Sequence, residues 1–474
     1  MINFYHKGII TTYILVFGAI FMLLLSGLLG FILLQLRQAS QRVAFAEALE
    51  VAEAGIDYYK WCLNNNVADD CQSQKNVYDL SGNLVGEFVL EIDSSTSCGT
   101  TTAQTITSTG TPEKFPDLAR KIRVLYSKES VAAFTYLLND NVWAGDDREI
   151  RGVYHSNGGI RMDGENQSIV SSAALNGEWV CTNSFGCNPC PTSHGCRTQG
   201  SQCICPGVFT TTDNSNPDLF DFPVTTFDFD RIMINLSDIK DITDDFPQEY
   251  YWPPVSEIDS DGEGYHVKFL ENGTFEVWII TDLDRVYGYS EEEGWEYDYF
   301  SIDEEYRYGD PILVNPACSL IFVEDNLWLD GKVKGKVTIA SANLISTTEE
   351  TDIILPGDIE YTTFDGSDGL TVISERNILI SPDSPDLMEI RGIFIAQEGR
   401  FSRNHYPSNI REKMEITGSI VSKGRVGTQW TSGGIIVSGY MEREDYNDST
   451  LIYNPPAFTP SISSEFQIVN WEEL

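Results

Sequence analysis

Six of the ten cysteines crowd into one loop rich in glycine, proline, serine and threonine. They are Cys181, Cys187, Cys190, Cys196, Cys203 and Cys205. Thiols this close together either oxidise to disulfides or bind a metal. Cys187 and Cys190 have the spacing of a zinc ligand pair, but a second Cys-x-x-Cys pair at the expected distance is missing. Disulfides are therefore the prediction, and zinc is the alternative.

The other four cysteines lie far from this loop. Cys62 and Cys71 bracket a short polar segment and are predicted to form a local disulfide. Cys98 and Cys318 are then left as the remaining pair. With these two pairs, every cysteine of the chain is predicted to be oxidised.

A short acidic pattern is the candidate metal site. Glu257, Asp259 and Asp261 alternate with other residues and are followed by Gly262, as in loops that bend oxygen ligands around calcium. The last ligand position of such a loop is Lys268 instead of a bidentate glutamate, so an ordinary acidic turn is the alternative. Apart from this calcium candidate, no cofactor is predicted.

Catalytic motifs are missing from the sequence. None of the five histidines lies in an HExxH motif or beside a GxSxG elbow, and the chain has no Walker or dinucleotide-binding motif. We therefore predict a protein that is not an enzyme. The alternative is a cell-surface β-helix enzyme that cleaves carbohydrate with an Asp/Glu pair, because carboxylates are abundant.

The charge of the chain excludes one class of partner. There are 71 acidic and 31 basic residues, which gives a formal net charge of -40. Such a surface repels a phosphate backbone, and the sequence contains no run of Lys and Arg with interleaved aromatic residues. Nucleic acid is not an expected partner, and the charge is typical of a soluble acidic exterior.

An uncharged apolar stretch runs from Gly8 to Leu36 and predicts a membrane-spanning helix. About 20 apolar residues suffice to cross a bilayer, and the apolar part of a signal peptide is shorter, about 7 to 15 residues. The helical pattern continues to Asn64, where Phe45, Leu49, Ala52, Ile56 and Tyr59 form one apolar stripe. Glu53 lies on another face and is a candidate to pair with a neighbouring subunit. The even number of cysteines in an anchored chain indicates an extracytoplasmic compartment.

Residues 5–62 combine a leader ending in Lys7-Gly8, the apolar helix, and the segment RVAFAEALEVAEAGIDYYKW with its AEAG motif. This combination gives the segment a resemblance to the N-terminal region of PilX-type minor pilins. It implies cleavage after Gly8, so that Ile9 starts the mature chain, and contacts with other pilin-like subunits through Glu53 and the apolar stripe. The place of the glutamate that major pilins carry near the mature N-terminus is taken here by Tyr13.

Beyond Asp79 the pattern changes to short strands, which predicts a mainly β exterior without a substantial helix. Residues 150–159 align with residues 390–399, and Met388-Glu389-Ile390-x-Gly392 recurs as Met414-Glu415-Ile416-x-Gly418. This glycine-punctuated rhythm favours a β-solenoid, with a β-sandwich as the alternative. It is also similar to coils of PilX-like and bactofilin-like proteins.

These patterns predict an α+β protein with its C-terminal region outside the cytoplasm or on the cell surface. The expected segments are a leader or cytoplasmic tip (1–8), the transmembrane and projecting helix (9–64), a β-rich connecting domain (65–150), first solenoid coils (151–180), a Cys-rich and acidic aromatic insertion (181–310), and the main solenoid with a tail (311–474). The predicted function is a single-pass pilin-like surface protein in filament assembly or adhesion, with a surface glycan or a protein as ligand of the aromatic insertion.

Overall fold

The computed structural model describes residues 7–65, 67, 71–98, 100–245, 250–345 and 350–474. A long N-terminal apolar helix is followed by a mostly β region, as predicted. The chain divides into two compact units. Unit 1 comprises Met1–Ser94, Gln104–Tyr126 and Glu465–Leu474, and unit 2 comprises Ser95–Ala103 and Ser127–Ser464.

The described residues contain three α-helices, α1 (Lys7–Asn64), α2 (Phe229–Ile232) and α3 (Leu236–Asp245). The prediction that no substantial helix follows α1 was wrong for α3, which has 10 residues. Its buried side chains, Leu236, Ile239 and Thr243, are spaced three and four residues apart and face the protein. The acidic residues between them obscured this short periodicity in the sequence.

The strands follow in chain order. The first are β1 (Gln74–Tyr78), β2 (Leu84–Ser97), β3 (Thr100–Pro112), β4 (Arg120–Ser127), β5 (Phe134–Leu138), β6 (Val142–Ala144), β7 (Arg148–Ile150), β8 (Val153–Ser156), β9 (Ile160–Met162), β10 (Glu165–Asn166), β11 (Val170–Ser172) and β12 (Glu178–Cys181). They continue as β13 (Arg197–Gln199), β14 (Gln202–Pro206), β15 (Val208–Phe209), β16 (Phe220–Asp221), β17 (Tyr251–Trp252), β18 (Gly264–Leu270), β19 (Thr274–Ser290), β20 (Gly294–Arg307), β21 (Ile312–Leu313), β22 (Leu320–Val323), β23 (Leu327–Val333) and β24 (Lys336–Ser341). The last are β25 (Ile353–Leu355), β26 (Ile359–Tyr361), β27 (Gly369–Ser374), β28 (Ile378–Ile380), β29 (Leu387–Ala396), β30 (Phe401–Ser402), β31 (Ile410–Ser422), β32 (Val426–Gly427), β33 (Gln429–Ser432), β34 (Ile435–Tyr446) and β35 (Gln467–Glu473).

Unit 1 is built from α1 and a five-stranded sheet with the strand order β1-β2-β3-β4-β35. The second half of α1 buries its apolar side chains against this sheet, where Phe88, Ile122 and Val124 are also buried. The hydroxyl of Tyr126 donates a hydrogen bond of 2.8 Å to the carbonyl oxygen of Ile56. The helix and the sheet thus share one apolar core.

Among the described residues, unit 2 contains four ladders of parallel strands, of which the shortest runs β6, β9 and β15. The first ladder runs β17, β22, β24, β27, β29, β31, β5, β8, β11 and β16. The second runs β18, β23, β25, β28, β30 and β32. The third runs β23, β26, β29, β31, β34, β7 and β10. Long strands such as β29 belong to two ladders, because one end of β29 pairs with β26 and the other end pairs with β27.

The order of strands in the ladders differs from their order in the chain. Strand β31 pairs with β5, although β5 comes much earlier in the sequence. Strands β8 and β11 continue the first ladder beyond β5, while β29 and β27 continue it on the other side. The chain therefore enters this ladder in its middle.

Side chains from the first three ladders meet in the main apolar core, which includes Leu329, Ile339 and Ile390. A second cluster lies against the first ladder and includes Ile373 and, from α3, Ile239. Strands of the first ladder are therefore covered on both faces, and this explains why they read as continuous apolar runs.

The glycine rhythm of the sequence has a steric cause. Strands β29 and β31 pair in the register of the predicted repeat, so that Gly392 lies beside Gly418. Gly418 has a φ of +136°, and a Cβ atom there would lie 1.9 Å from the carbonyl oxygen of Gly392. Only glycine fits where adjacent strands approach so closely.

Part of the predicted insertion, residues 181–310, belongs to the ladders. Strands β17 and β18 lie inside this range and pair with β22 and β23. The Cys-rich segment forms a separate three-stranded sheet, β12-β14-β13. The predicted connecting domain, residues 65–150, is divided between the two units.

Candidate functional site

The first half of α1 is the candidate membrane anchor. Side chains of residues 10–40 are exposed, and the most apolar window of the helix has a mean hydropathy of 2.6 with none of it buried. Exposed apolar surface costs about 25 cal/mol per Å² in water, so this half of the helix requires an apolar environment. Gly8 and Ile9, the predicted processing position, lie in the first turns of α1, and residues 1–6 lie outside the described ranges.

The second half of α1 corrects part of the predicted assembly surface. Ala52 and Ile56 are 0% and 3% exposed, because the sheet of unit 1 covers them. The prediction that these two side chains contact another subunit was therefore wrong. Phe45 and Glu53 are exposed and Leu49 is half-buried, so these three positions stay predicted contacts. Helical periodicity identifies an apolar stripe but not the surface that covers it.

All ten cysteines form disulfides, which confirms the prediction of oxidation over zinc binding. The bonds are Cys62–Cys71, Cys98–Cys318, Cys181–Cys187, Cys190–Cys203 and Cys196–Cys205. The local pair and the long-range pair both match the sequence-based assignment. The last three bonds resolve the pairing of the clustered cysteines, which spacing alone left open.

Arg161 joins the Cys-rich segment to the ladder strands. Its guanidinium donates to Asp163 at 2.7 Å and to the carbonyl oxygens of Phe185 and Gly186 at 2.9 and 2.8 Å. It also lies 4.3 Å from the ring centroid of Trp143, on β6. One half-buried cation thereby positions the loop that the disulfides close.

The candidate calcium ligands do not form a common site in the structure. Asp259 accepts one bond from the backbone N–H of Asp261 at 3.1 Å and one from the Tyr306 hydroxyl at 2.8 Å. A metal site needs at least three ligand atoms from His, Cys, Asp or Glu side chains close together. Among the described residues, the groups whose ligand atoms all lie within 4.8 Å of one another contain only disulfide-bonded cysteines. Glu257, Asp259 and Asp261 are therefore not gathered around one point, and calcium binding stays a prediction.

The long antiparallel hairpin of β19 and β20, residues 274–307, is the candidate binding element, and we call it the arm. Trp295, Tyr297 and Tyr299 alternate along β20, so they point to one side, and Tyr287 of β19 pairs with Tyr297 on that side. Their exposed fractions are 51%, 46%, 50% and, for Tyr287, 46%. We call these four side chains the aromatic face.

The opposite side of the arm is fixed to the ladder strands. The buried carboxylate of Asp298 accepts hydrogen bonds from the Asn404 amide at 2.8 Å and the Tyr406 hydroxyl at 2.9 Å. Burial raises the pKa of Asp298, and these two bonds partly offset that effect. Tyr289 and His405 exchange backbone hydrogen bonds of 3.0 and 2.9 Å. The aromatic face is therefore presented on a fixed hairpin.

A buried histidine also joins the arm to the ladders. His266 of β18 has its Nδ1 2.9 Å from Glu305 of the arm and its Nε2 3.5 Å from Asp330 of β23. Burial disfavours the charged ring, but Asp330 and Glu305 outweigh it and raise the pKa of His266 to about 9. Lys268 is the other cation beside Asp330, at 4.0 Å.

We expect the free energy of unfolding to fall as pH rises from about 6.5 to about 9. The folded-state pKa of His266, about 9, lies above the ordinary 6.5. The stabilisation by protonated His266 is therefore complete below about pH 6.5 and is lost by about pH 9. It amounts to at most about 3 kcal/mol. Denaturant unfolding at several pH values checks this, with His266→Gln as the control that removes the titration. Identical pH profiles for the two proteins would contradict the assignment.

A second buried charge lies where β34, near the end of the chain, contacts β5. Arg443 of β34 is fully buried and donates to Asp445 at 3.0 Å, to Thr428 at 3.0 Å and to the hydroxyl of Tyr136 on β5. Burial opposes the charge on Arg443, but Asp445 outweighs it, and the net effect raises the pKa of Arg443. A polar contact thus connects residues of the third and first ladders.

No protein-family model and no curated protein matches the chain. One solved structure with a detected likeness is the competence-associated pilin ComZ from Thermus thermophilus, which is 11% identical, with 91% of this chain and 97% of that chain covered. The TM-score is 0.27, which does not show a shared fold.

Sequence reasoning placed the aromatic face only within a broad acidic aromatic stretch. The alternation of Trp295, Tyr297 and Tyr299 was the signal that these rings share one side of a strand. Tyr287 could not be assigned to that face, because its position beside Tyr297 depends on the register across the hairpin and not on the alternation of one strand. The buried ion pair of Arg443 and Asp445 was not predicted, because an Arg-x-Asp pattern on a strand is typical of an exposed ion pair.

Proposed function

We propose that this chain is a non-enzymatic, membrane-anchored, pilin-like surface protein. The observation that carries the proposal is the division of α1 into an exposed apolar half and a half packed on the sheet of unit 1. The exposed half is longer than the roughly 20 residues that cross a bilayer. The resemblance of residues 5–62 to PilX-type minor pilins supports a role in filament assembly or adhesion.

We propose further that unit 2 is a β-solenoid that displays a binding surface. Its parallel ladders support this, because the strands of a β-sandwich are antiparallel. The in-register pairing of β29 with β31, two copies of the sequence repeat, supports it as well. Each turn of such a stack buries its apolar side on the next turn and supplies a rigid support.

The cysteines support a proposal for the compartment. Five disulfides, formed by all ten cysteines, support an oxidising environment on the extracytoplasmic side of the membrane. On this proposal α1 lies in the membrane or in the core of a pilus, and the strands of both units lie outside the cytoplasm. Other pilin-like subunits are the proposed partners of the helix.

Membrane extraction tests the anchor. We expect the wild-type chain to stay in the membrane pellet after an alkaline carbonate wash. Replacing Phe21 and Leu24 by arginine should shift it to the supernatant, because each arginine at the centre of a span costs about 2.5–3.5 kcal/mol. Val43→Arg is the matched control, since Val43 is exposed on the same helix beyond the apolar stretch. A wild-type chain that washes off would contradict the proposal.

The N-terminal residue of the mature protein separates two forms of the proposal. Mass spectrometry of native membranes and of sheared surface filaments would identify it. A chain that begins at Ile9 and occurs in filaments supports processing as a minor pilin. A chain that begins at Met1 and occurs only in membranes contradicts filament incorporation and leaves a static anchor.

A further inference from the structure

The aromatic face is an exposed apolar patch without a covering segment among the described residues. Tyr287 and Trp295 stack with ring centroids 5.3 Å apart and an interplanar angle of 20°, and Tyr297 lies 5.0 Å from Tyr287. Trp295 also meets the His405 ring edge-on at 5.2 Å. Clustered, half-exposed Trp and Tyr side chains on a fixed support are typical of a contact surface.

The arm already binds one guanidinium of its own chain. The guanidinium carbon of Arg285 lies 3.6 Å from the ring centroid of Tyr297. Such stacking is favoured because the negative face of an aromatic ring attracts a flat, weakly hydrated cation. The rings of the aromatic face therefore have the chemistry and the accessibility to accept further guanidinium groups.

The charge of the arm favours a cationic partner. Three glutamates at the tip are paired within the chain, Glu292 with Arg400 at 2.9 Å, Glu291 with Arg425, and Glu293 with Arg376 at 3.9 Å. Five further acidic residues of the arm are exposed and make no ion pair with any residue that the structure describes: Asp282, Asp284, Glu296, Asp303 and Glu304. The hairpin that carries the rings thus has an excess of carboxylates.

We propose that the aromatic face of the arm binds an arginine-rich segment of a protein partner. Arginine side chains stack on Trp295, Tyr297 and Tyr299, and the unpaired carboxylates of the arm attract the segment and hold its remaining charges. The fixed hairpin lowers the conformational cost of binding, because the rings are in place beforehand. This inference concerns unit 2 and does not depend on the membrane anchor.

Titration of the full-length chain in detergent with a fluorescent octa-arginine peptide tests the proposal. At near-physiological salt, we expect Trp295→Ala and Tyr297→Ala each to weaken binding about five-fold, as loss of a cation–π contact predicts. Tyr299→Ala is the safer variant, because Tyr299 makes no ring contact within the part of the chain that the structure describes. Trp471→Ala, with a similar exposed fraction of 46% in unit 1, should leave the affinity unchanged.

Two further probes separate the proposed ligand from its rivals. Octa-lysine should bind about three-fold more weakly than octa-arginine, since an ammonium stacks less well on a ring. Equal affinities for the two peptides, with no effect of the ring substitutions, would overturn the proposal in favour of unspecific attraction to an acidic surface. Binding of a neutral oligosaccharide that Tyr299→Ala abolishes would also overturn it, because a glycan would then be the ligand of the face.

Discussion

Replacing both Cys98 and Cys318 by alanine should lower the free energy of unfolding of unit 2 by about 5 kcal/mol. The two residues are separated by 220 positions, and the bond between them closes a long loop. A crosslink removes more conformations from the unfolded chain when the closed loop is longer. Chemical denaturation, with hydrogen exchange to localise the loss to peptides of residues 127–464, measures the effect.

The disulfide between Cys62 and Cys71 supplies the matched control. It closes a loop with a sequence separation of only 9, so its removal by the same double substitution should cost about half as much. The loss should also appear in peptides of unit 1, where both residues lie. Equal losses for the two disulfides would mean that loop entropy does not govern their contribution.

The second large effect is expected for Arg443→Met. The substitution keeps the apolar length of the side chain but leaves the Asp445 carboxylate, which is also fully buried, without its cation. Removing one partner of a buried pair typically costs about 3–5 kcal/mol. Denaturant unfolding followed by tryptophan fluorescence measures the loss.

A double substitution separates the lost pair from simple damage to the core. Adding Asp445→Asn to Arg443→Met removes the unpaired charge and should recover more than half of the loss. Lys413→Met is a suitable comparison, because Lys413 pairs with Glu444 at 2.9 Å on the neighbouring strand but is part-exposed. Its effect should stay below about 1 kcal/mol. A comparable loss from Lys413→Met would contradict the importance of burial.

The features that local sequence determines were predictable. The apolar helix follows from composition over many residues, and the repeat around Gly392 and Gly418 follows from a steric need that only glycine meets. The pairings of Cys62 and of Cys98 were found because few alternatives remained once the clustered cysteines were set aside. Each of these inferences uses neighbours in the sequence or simple elimination.

The features that long-range packing determines were not predictable. Ala52 and Ile56 would form an apolar stripe whether their own chain or another subunit covered it. Only the folded structure shows that the sheet of unit 1 covers these two side chains. Strands β17 and β18 lie in an acidic aromatic stretch, so their pairing with β22 and β23 left no local signal. The contact between Arg443 and Tyr136 joins residues 307 positions apart, beyond the reach of any pattern in the sequence.

The entry of the chain into the middle of the first ladder has a consequence for synthesis. A ribosome completes β5 and β8 long before it completes β31, which is the neighbour of β5 on the other side. During that interval one edge of β5 has no strand to pair with, and open edges pair readily with other chains. A nascent chain that stops before residue 410 would keep this edge open, so strand β31 protects a strand made hundreds of residues earlier.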